Sequence, residues 1–284
     1  MLAIAGGLGA ALVFATVTLC NSRSSRMIGP AQLLAWVMLI GLVITVPFAF
    51  GRGIPAGLDV ESGIWMAVAG VGNVAGLLLA YSALRIGKVG IVAPMVSAQG
   101  AIAAVIAIVA GEQVGADVAI LLAVIAIGIS LAAIAPPGDE PSDGKPADRR
   151  AAAYAVGAAV AIGWSLYAIG RVSVALPVAW ALLPSRAIGV AVVTIPLALR
   201  AGLRMTREAL PLVAVAGVFE VVGFALFAFG ARHGIAVAAV LSSQFAAIAA
   251  IAAYVLFAER LSAVQVAGVA VIVAGVGILS GITA

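Results

Sequence analysis

The chain has 284 residues, 65% of them hydrophobic and 9% charged, with a net charge of +4 and a mean hydropathy of +1.27. A water-soluble fold of this length cannot hide so much apolar surface, whereas a bilayer accepts it, so the composition excludes a soluble class. The basic residues lie mostly in short breaks between apolar runs. Headgroups and topology account for them there, which argues against nucleic acid as a partner.

A helix needs roughly 20 apolar residues to cross the hydrocarbon. Breaks at charged, Gly and Pro clusters divide the chain into ten such runs: 2–20, 31–50, 63–84, 89–110, 114–135, 151–170, 175–199, 210–231, 234–257 and 262–282. The first run lacks a basic n-region and is long enough to span, so it reads as a membrane helix, not a cleaved signal. Linkers such as Ile86-Gly87-Lys88 and Ala258 to Leu261 are short, which predicts antiparallel hairpins. The stretch Pro136 to Arg150 is different: polar and Pro-rich, it cannot be helical or face lipid. It forms a linker, 136–150, between a first unit, 1–135, and a second, 151–284.

The two units repeat. Shifting by 147 residues brings Gly70 onto Gly217, Gly76 onto Gly223, Arg85 onto Arg232, Gly87 onto Gly234, Glu112 onto Glu259 and Gly128 onto Gly275. Coincident Arg and Glu carry weight that Ala or Val would not in this composition. A small slip places Phe14 opposite Trp164 and Pro47 opposite Pro196. With five helices per unit, the second enters the membrane inverted, an arrangement that secondary transporters use for alternating access around a midplane site. The expected fold is therefore all-α and integral to the membrane: ten transmembrane helices as two inverted five-helix repeats around a central cavity.

The stretch Ala80-Tyr81-Ser82-Ala83-Leu84, then Gly111-Glu112-Gln113 leading into a Gly-containing helix, resembles the EamA-type drug/metabolite transporters. Ala258-Glu259-Arg260-Leu261, followed by Gln265, Gly268 and Gly275, is similar to the same hairpin in the second unit. The resemblance implies a ten-helix transporter of the bacterial inner membrane with a cavity lined by both units. It also implies export of amino acids or related metabolites. Arg186 fits a place where many members carry an arginine; the first unit has Trp36-Val37-Met38 there. Gln99 and Ala246 stand where many members have proline.

Ionisable groups at mid-bilayer cost about 2.5–3.5 kcal/mol on insertion scales, so each needs a reason. Arg186 and Glu220 fall near the centres of the seventh and eighth runs. They either pair and lock neighbouring helices, or face the cavity, where an amino acid offers a carboxylate to Arg186 and an ammonium to Glu220. Asn73, Ser97, Gln99, Ser243 and Gln244, with Ser242 beside them, fall at the same depth. Each serves as interhelical glue or as cavity lining. Tyr81, Trp164 and Tyr167 offer flat walls for a solute, or ordinary packing and an interfacial belt. Glu112 and Glu259 begin the fifth and tenth helices, where a carboxylate complements the helix end, a structural role.

Gly70-Val71-Gly72-Asn73-Val74-Ala75-Gly76 lies inside a span, so it is a helix-packing stretch and not a dinucleotide loop. With Cys20 the sole cysteine and His233 the sole histidine, no disulfide, metal centre or cofactor is expected. Loops after odd-numbered helices hold eleven basic residues against three on the other side, which puts both termini outside the cytoplasm. A transporter, working with a small-molecule substrate and the lipid bilayer and expected as a monomer, explains these features together. The alternatives are an integral-membrane enzyme or receptor or, within transport, a drug efflux or uptake carrier.

Overall fold

The computed structural model describes residues 1–51, 53–87, 89–132, 146–200 and 202–249, with scattered positions from 252 to 278. Glu259, Gln265, most of the tenth run and residues 136–145 of the linker lie outside the described residues. All regular structure among the described residues is helical. The helices are α1 (Leu2–Ile28), α2 (Pro30–Phe50), α3 (Val60–Ile86), α4 (Val89–Ser97), α5 (Gln99–Val109), α6 (Ala116–Ala132) and α7 (Pro146–Ala175). They continue as α8 (Val178–Gly189), a π segment (Val190–Thr194), α9 (Ile195–Arg200), α10 (Ala209–Ala231) and α11 (Ile235–Ser242). Six helical stretches among the described residues are long and apolar enough to cross a membrane, the continuous stretch Val178–Arg200 among them. Met95–Val109, Ala116–Gly128 and Ile235–Ala249 are shorter apolar helices. The protein is thus a multi-pass helical membrane protein.

Several runs differ from their expected bounds, and residues 146–150, expected in the non-helical linker, form the start of α7, where Pro146 at the helix start loses no N–H bond. α1 continues eight residues past Cys20, through Asn21-Ser22-Arg23, and the hydroxyls of Ser24 and Ser25 bond back to carbonyls of this stretch. Ser24 Oγ donates to the Cys20 carbonyl at 2.6 Å. The helix stops at Gly29, whose φ of +87° suits glycine, and Pro30 starts α2 at a position where a missing N–H costs nothing. At the start of α3, Asp59 accepts from Ser62 N at 2.8 Å and Ser62 Oγ bonds back, a reciprocal cap.

The fourth and ninth runs, read as continuous helices, are both broken near their middles. The fourth divides at Ala98 into α4 and α5. The ninth turns at Ser243-Gln244 before helix resumes at 245–249. Both breaks tighten to three-residue hydrogen bonds, Ala98 N to Met95 O at 3.4 Å and Gln244 N to Leu241 O at 3.2 Å. The breaks meet. A Cβ on Gly100 would run into Ser243 and the Ala239 carbonyl, so glycine is what lets α5 lie against α11 here.

The most extensive packing places α3 along α7 and α1 along α10. α2 lies against α8, α3 against α8, and α10 against α2. α5 and α11 complete the interior, α5 packing on α7 and α11 on α1. The buried core is rich in alanine, which allows close helix approach where lipid gives no hydrophobic push between helices. Arginines fasten the helix ends. Arg26 at the end of α1 donates to Leu84 O (3.4 Å) and Gly87 O (2.9 Å) at the end of α3. Arg232 after α10 donates to the Ser173 carbonyl and to Leu176 O, the latter at 2.7 Å, at the end of α7.

Candidate substrate cavity

A partly open cavity of about 70 Å³ lies among α1, α3, α4, α5, α7 and α10. Its wall is mostly aliphatic and aromatic, with Phe14 and Phe224 in edge-to-face contact at 5.1 Å. Among the described residues five polar side chains belong to it: Glu220, Tyr81, Asn21, Thr18 and Gln99.

Glu220 sits near the middle of α10 and is 1% exposed. Its Oε1 lies 3.3 Å from Nη1 of Arg186, itself 1% exposed, and its Oε2 accepts from the Tyr81 hydroxyl at 2.9 Å. The pair therefore answers both readings of these two residues in part. Arg186 and Glu220 do bridge α8 and α10, yet only Glu220 belongs to the cavity wall. Arg186 lies behind it, 5.5 Å from the centre of the Phe224 ring and 3.7 Å from Met38 Sδ. A Cβ on Gly41 would press on its side chain, so α2 contributes the space for the guanidinium. Nε and Nη2 of Arg186 make no hydrogen bond. Four residues on, the chain forms the π segment, whose Thr194 hydroxyl donates to Ala35 O at 3.0 Å and ties it to α2. Such segments concentrate at functional sites.

The remaining expected site residues divide. Tyr81 and Gln99 join Glu220 in the wall. Asn73, Ser97, Ser243 and Gln244 are buried but do not line the cavity. Asn73 is 0% exposed with neither amide atom hydrogen-bonded. Ser243 donates to Ala239 O at 3.1 Å within its own helix break. Tyr167 packs edge-on against Trp65 at 5.4 Å, away from the cavity. Trp164 is 45% exposed and forms no wall of it; on a membrane helix a half-exposed indole sits comfortably against lipid.

Glu112 is structural in a different way from that expected. Its carboxylate accepts from Ala236 N at 3.2 Å, so it caps α11, 124 residues on, and not the helix that follows it. Partial burial pushes its carboxyl pKa up, and the backbone bonds hold it back in part.

Asn21, Thr18 and the phenyl rings Phe14, Phe224 and Phe245 were not expected in a site. Asn21 falls just beyond the apolar run that ends at Cys20, so hydropathy alone puts it in a loop. The signal available was the absence of Gly or Pro between Cys20 and Ile28. Asn21 is 2% exposed, reaches the Tyr81 hydroxyl, and leaves its Oδ1 without a hydrogen bond.

Residues 1–134 match the EamA-like transporter family. The matched segment is the first five helical runs, a little under half of the chain. No curated protein matches it significantly. A crystal structure of a protein superposes with a TM-score of 0.74 at 18% identity, covering 99% of this chain and 96% of that one. At that identity it speaks for the fold over the full length and for nothing further.

Proposed function

We propose that this chain is an EamA-type bacterial inner-membrane secondary transporter that exports small metabolites, amino acids with large apolar side chains among them, by alternating access. The observation that carries the reading is a buried carboxylate, Glu220, in the wall of an otherwise largely apolar cavity at mid-helix depth. A charge so placed needs a use, and the Arg186 pairing leaves each carboxylate oxygen a free lone pair for a ligand.

The helix pairings support two inverted five-helix repeats, 1–135 and 151–284. Within that reading α3 on α7 has its mate in α10 on α1, and α4 on α7 in α11 on α1. α3 on α8 likewise answers α10 on α2. The equivalent glycines behave alike: Gly76 makes room for Ile162 of α7, and Gly223 for Phe14 of α1. The breaks at Ala98 and Ser243-Gln244 are the discontinuous helices that such carriers place around their sites.

The direction follows from charge and depth. Leu84, Asn21 and Val92 of the cavity lie toward the ends of α1 and α3 and the start of α4, the face that carries Arg23, Arg26 and Arg85. If that basic face is cytoplasmic, as the positive-inside rule has it, the termini are outside and the cavity loads from the cytoplasm. The test is counterflow of labelled amino acids in proteoliposomes, with and without a pH gradient. Saturable exchange of leucine or phenylalanine is expected; no exchange of any member of the panel contradicts the reading.

A further inference from the structure

We infer that the cavity selects the head of its ligand as a primary ammonium group and makes no demand for a carboxylate. The inference rests on the transporter reading only for the place where the ligand sits.

The argument is a census of what the polar groups in the wall can still do. Glu220 carries two oxygens, each engaged once, by Arg186 and by Tyr81, and each retains capacity to accept. Asn21 Oδ1 and Gln99 Oε1 are buried acceptors without a hydrogen bond, in side chains 2% and 5% exposed. A buried amide oxygen left unpaired costs about 1–3 kcal/mol, so a ligand that supplies donors recovers what the empty fold forgoes. The Tyr81 hydroxyl already donates to Glu220, and the Thr18 hydroxyl donates to Phe14 O at 2.8 Å inside its own helix. The amide N–H groups of Asn21 and Gln99 can still donate, but among the described wall residues the buried atoms with no partner are the two acceptors Asn21 Oδ1 and Gln99 Oε1, and the charge is the Glu220 carboxylate. An ammonium brings three donors and no acceptor, which matches that set.

A ligand carboxylate finds the reverse. The guanidinium that pairs with Glu220, that of Arg186, is not part of the wall and stands behind it. A carboxylate reaching toward it meets the Glu220 carboxylate first. The expected pairing of an amino-acid carboxylate with Arg186 is thus not supported by the geometry. Beyond the head, Phe14, Phe224 and Phe245 supply an apolar and aromatic surface for the body, and their faces favour a cation. The ligand class is an apolar primary amine. Amino acids enter it through their ammonium end.

The purified full chain in detergent is titrated with four probes of equal body: 2-phenylethylamine, its N,N,N-trimethyl derivative, 2-phenylethanol and 3-phenylpropionate. The primary amine is expected to bind about tenfold or more tightly than each of the others, since it alone can donate to three acceptors. Asn21→Leu and Gln99→Leu should each weaken the primary amine about tenfold and leave the trimethyl probe unchanged, a pattern that general unfolding would not give. Equal or tighter binding of 3-phenylpropionate overturns the inference, as does failure of 2-phenylethylamine to bind the folded protein. Binding of the amine without counterflow removes the transport reading and leaves this one standing. Counterflow of amino acids with no binding of the amine does the opposite.

Discussion

Arg186 and Glu220 carry opposite charges in a place where neither could be left alone. Removing one partner of a buried pair costs about 3–5 kcal/mol, because the survivor keeps its charge without compensation. Arg186→Met is therefore expected to lower the thermal midpoint sharply, and the double change Arg186→Met/Glu220→Gln to recover most of the loss. If the pair were only a lock between α8 and α10, transport would recover with stability in the double variant. The cavity reading expects stability to return while transport stays lost. Thermal unfolding and counterflow on the same preparations separate the two.

Glu112 makes a second prediction at this scale, and its sign follows from burial. The carboxyl is held above its ordinary value of 4.5, so the folded state favours the protonated form. Its stabilising contribution is complete below that ordinary value and is lost as pH rises through the raised one. Glu112→Gln keeps an acceptor for Ala236 N and should remove that part of the pH dependence. Glu112→Ala should lose the cap at every pH. Thermal midpoints across the acid range check both. The sequence places this carboxylate just before α6; the helix it caps is α11, 124 residues on, and only tertiary packing brings the Glu112 loop to the start of α11.

At the scale of elements, the breaks in the fourth and ninth runs matter most. Gly100 is where α5 meets Ser243 and Ala239 of α11. Gly100→Leu should force the two apart, at about 1–3 kcal/mol of stability and with a large loss of transport. A midpoint and a counterflow rate unchanged by Gly100→Leu would contradict the packing of the two breaks. Their existence was half-legible. The sequence shows Ser97-Ala98-Gln99-Gly100 and Ser242-Ser243-Gln244 as small polar groups within apolar runs. Hydropathy cannot tell a polar patch on a continuous helix from a turn, because both keep the mean high. The extent of α1 was misjudged for a related reason: Asn21-Ser22-Arg23 ends an apolar run without ending a helix. That single shift hid Asn21, now the residue that reaches Tyr81 from α1. Trp164 failed in the other direction. Its depth was read from the chain, but which side of α7 it occupies depends on where α3 and α5 lie.

For the whole molecule, composition alone was enough for a helical membrane protein, because apolar content on this scale has one solvent that fits. Distance from helix ends also groups Gln99, Arg186 and Glu220, and in the fold Glu220 pairs with Arg186 and shares the cavity wall with Gln99. What depth could not supply was azimuth. Asn73 and Gln244 share that depth and face helix interfaces, while Tyr81 and Gln99 face the cavity. Azimuth is set by which helices pack together, and a single sequence holds no record of that.

The claim on which the rest depends is that the Glu220 cavity is where solute crosses. Counterflow of labelled phenylalanine by Glu220→Gln, measured beside the unaltered protein at matched insertion and at a temperature well below both thermal midpoints, tests it most directly. The account predicts saturable exchange by the unaltered protein and loss of at least about nine-tenths of it in the variant, one tenfold step for a charge-assisted contact. Exchange by Glu220→Gln at the rate of the unaltered protein would contradict it.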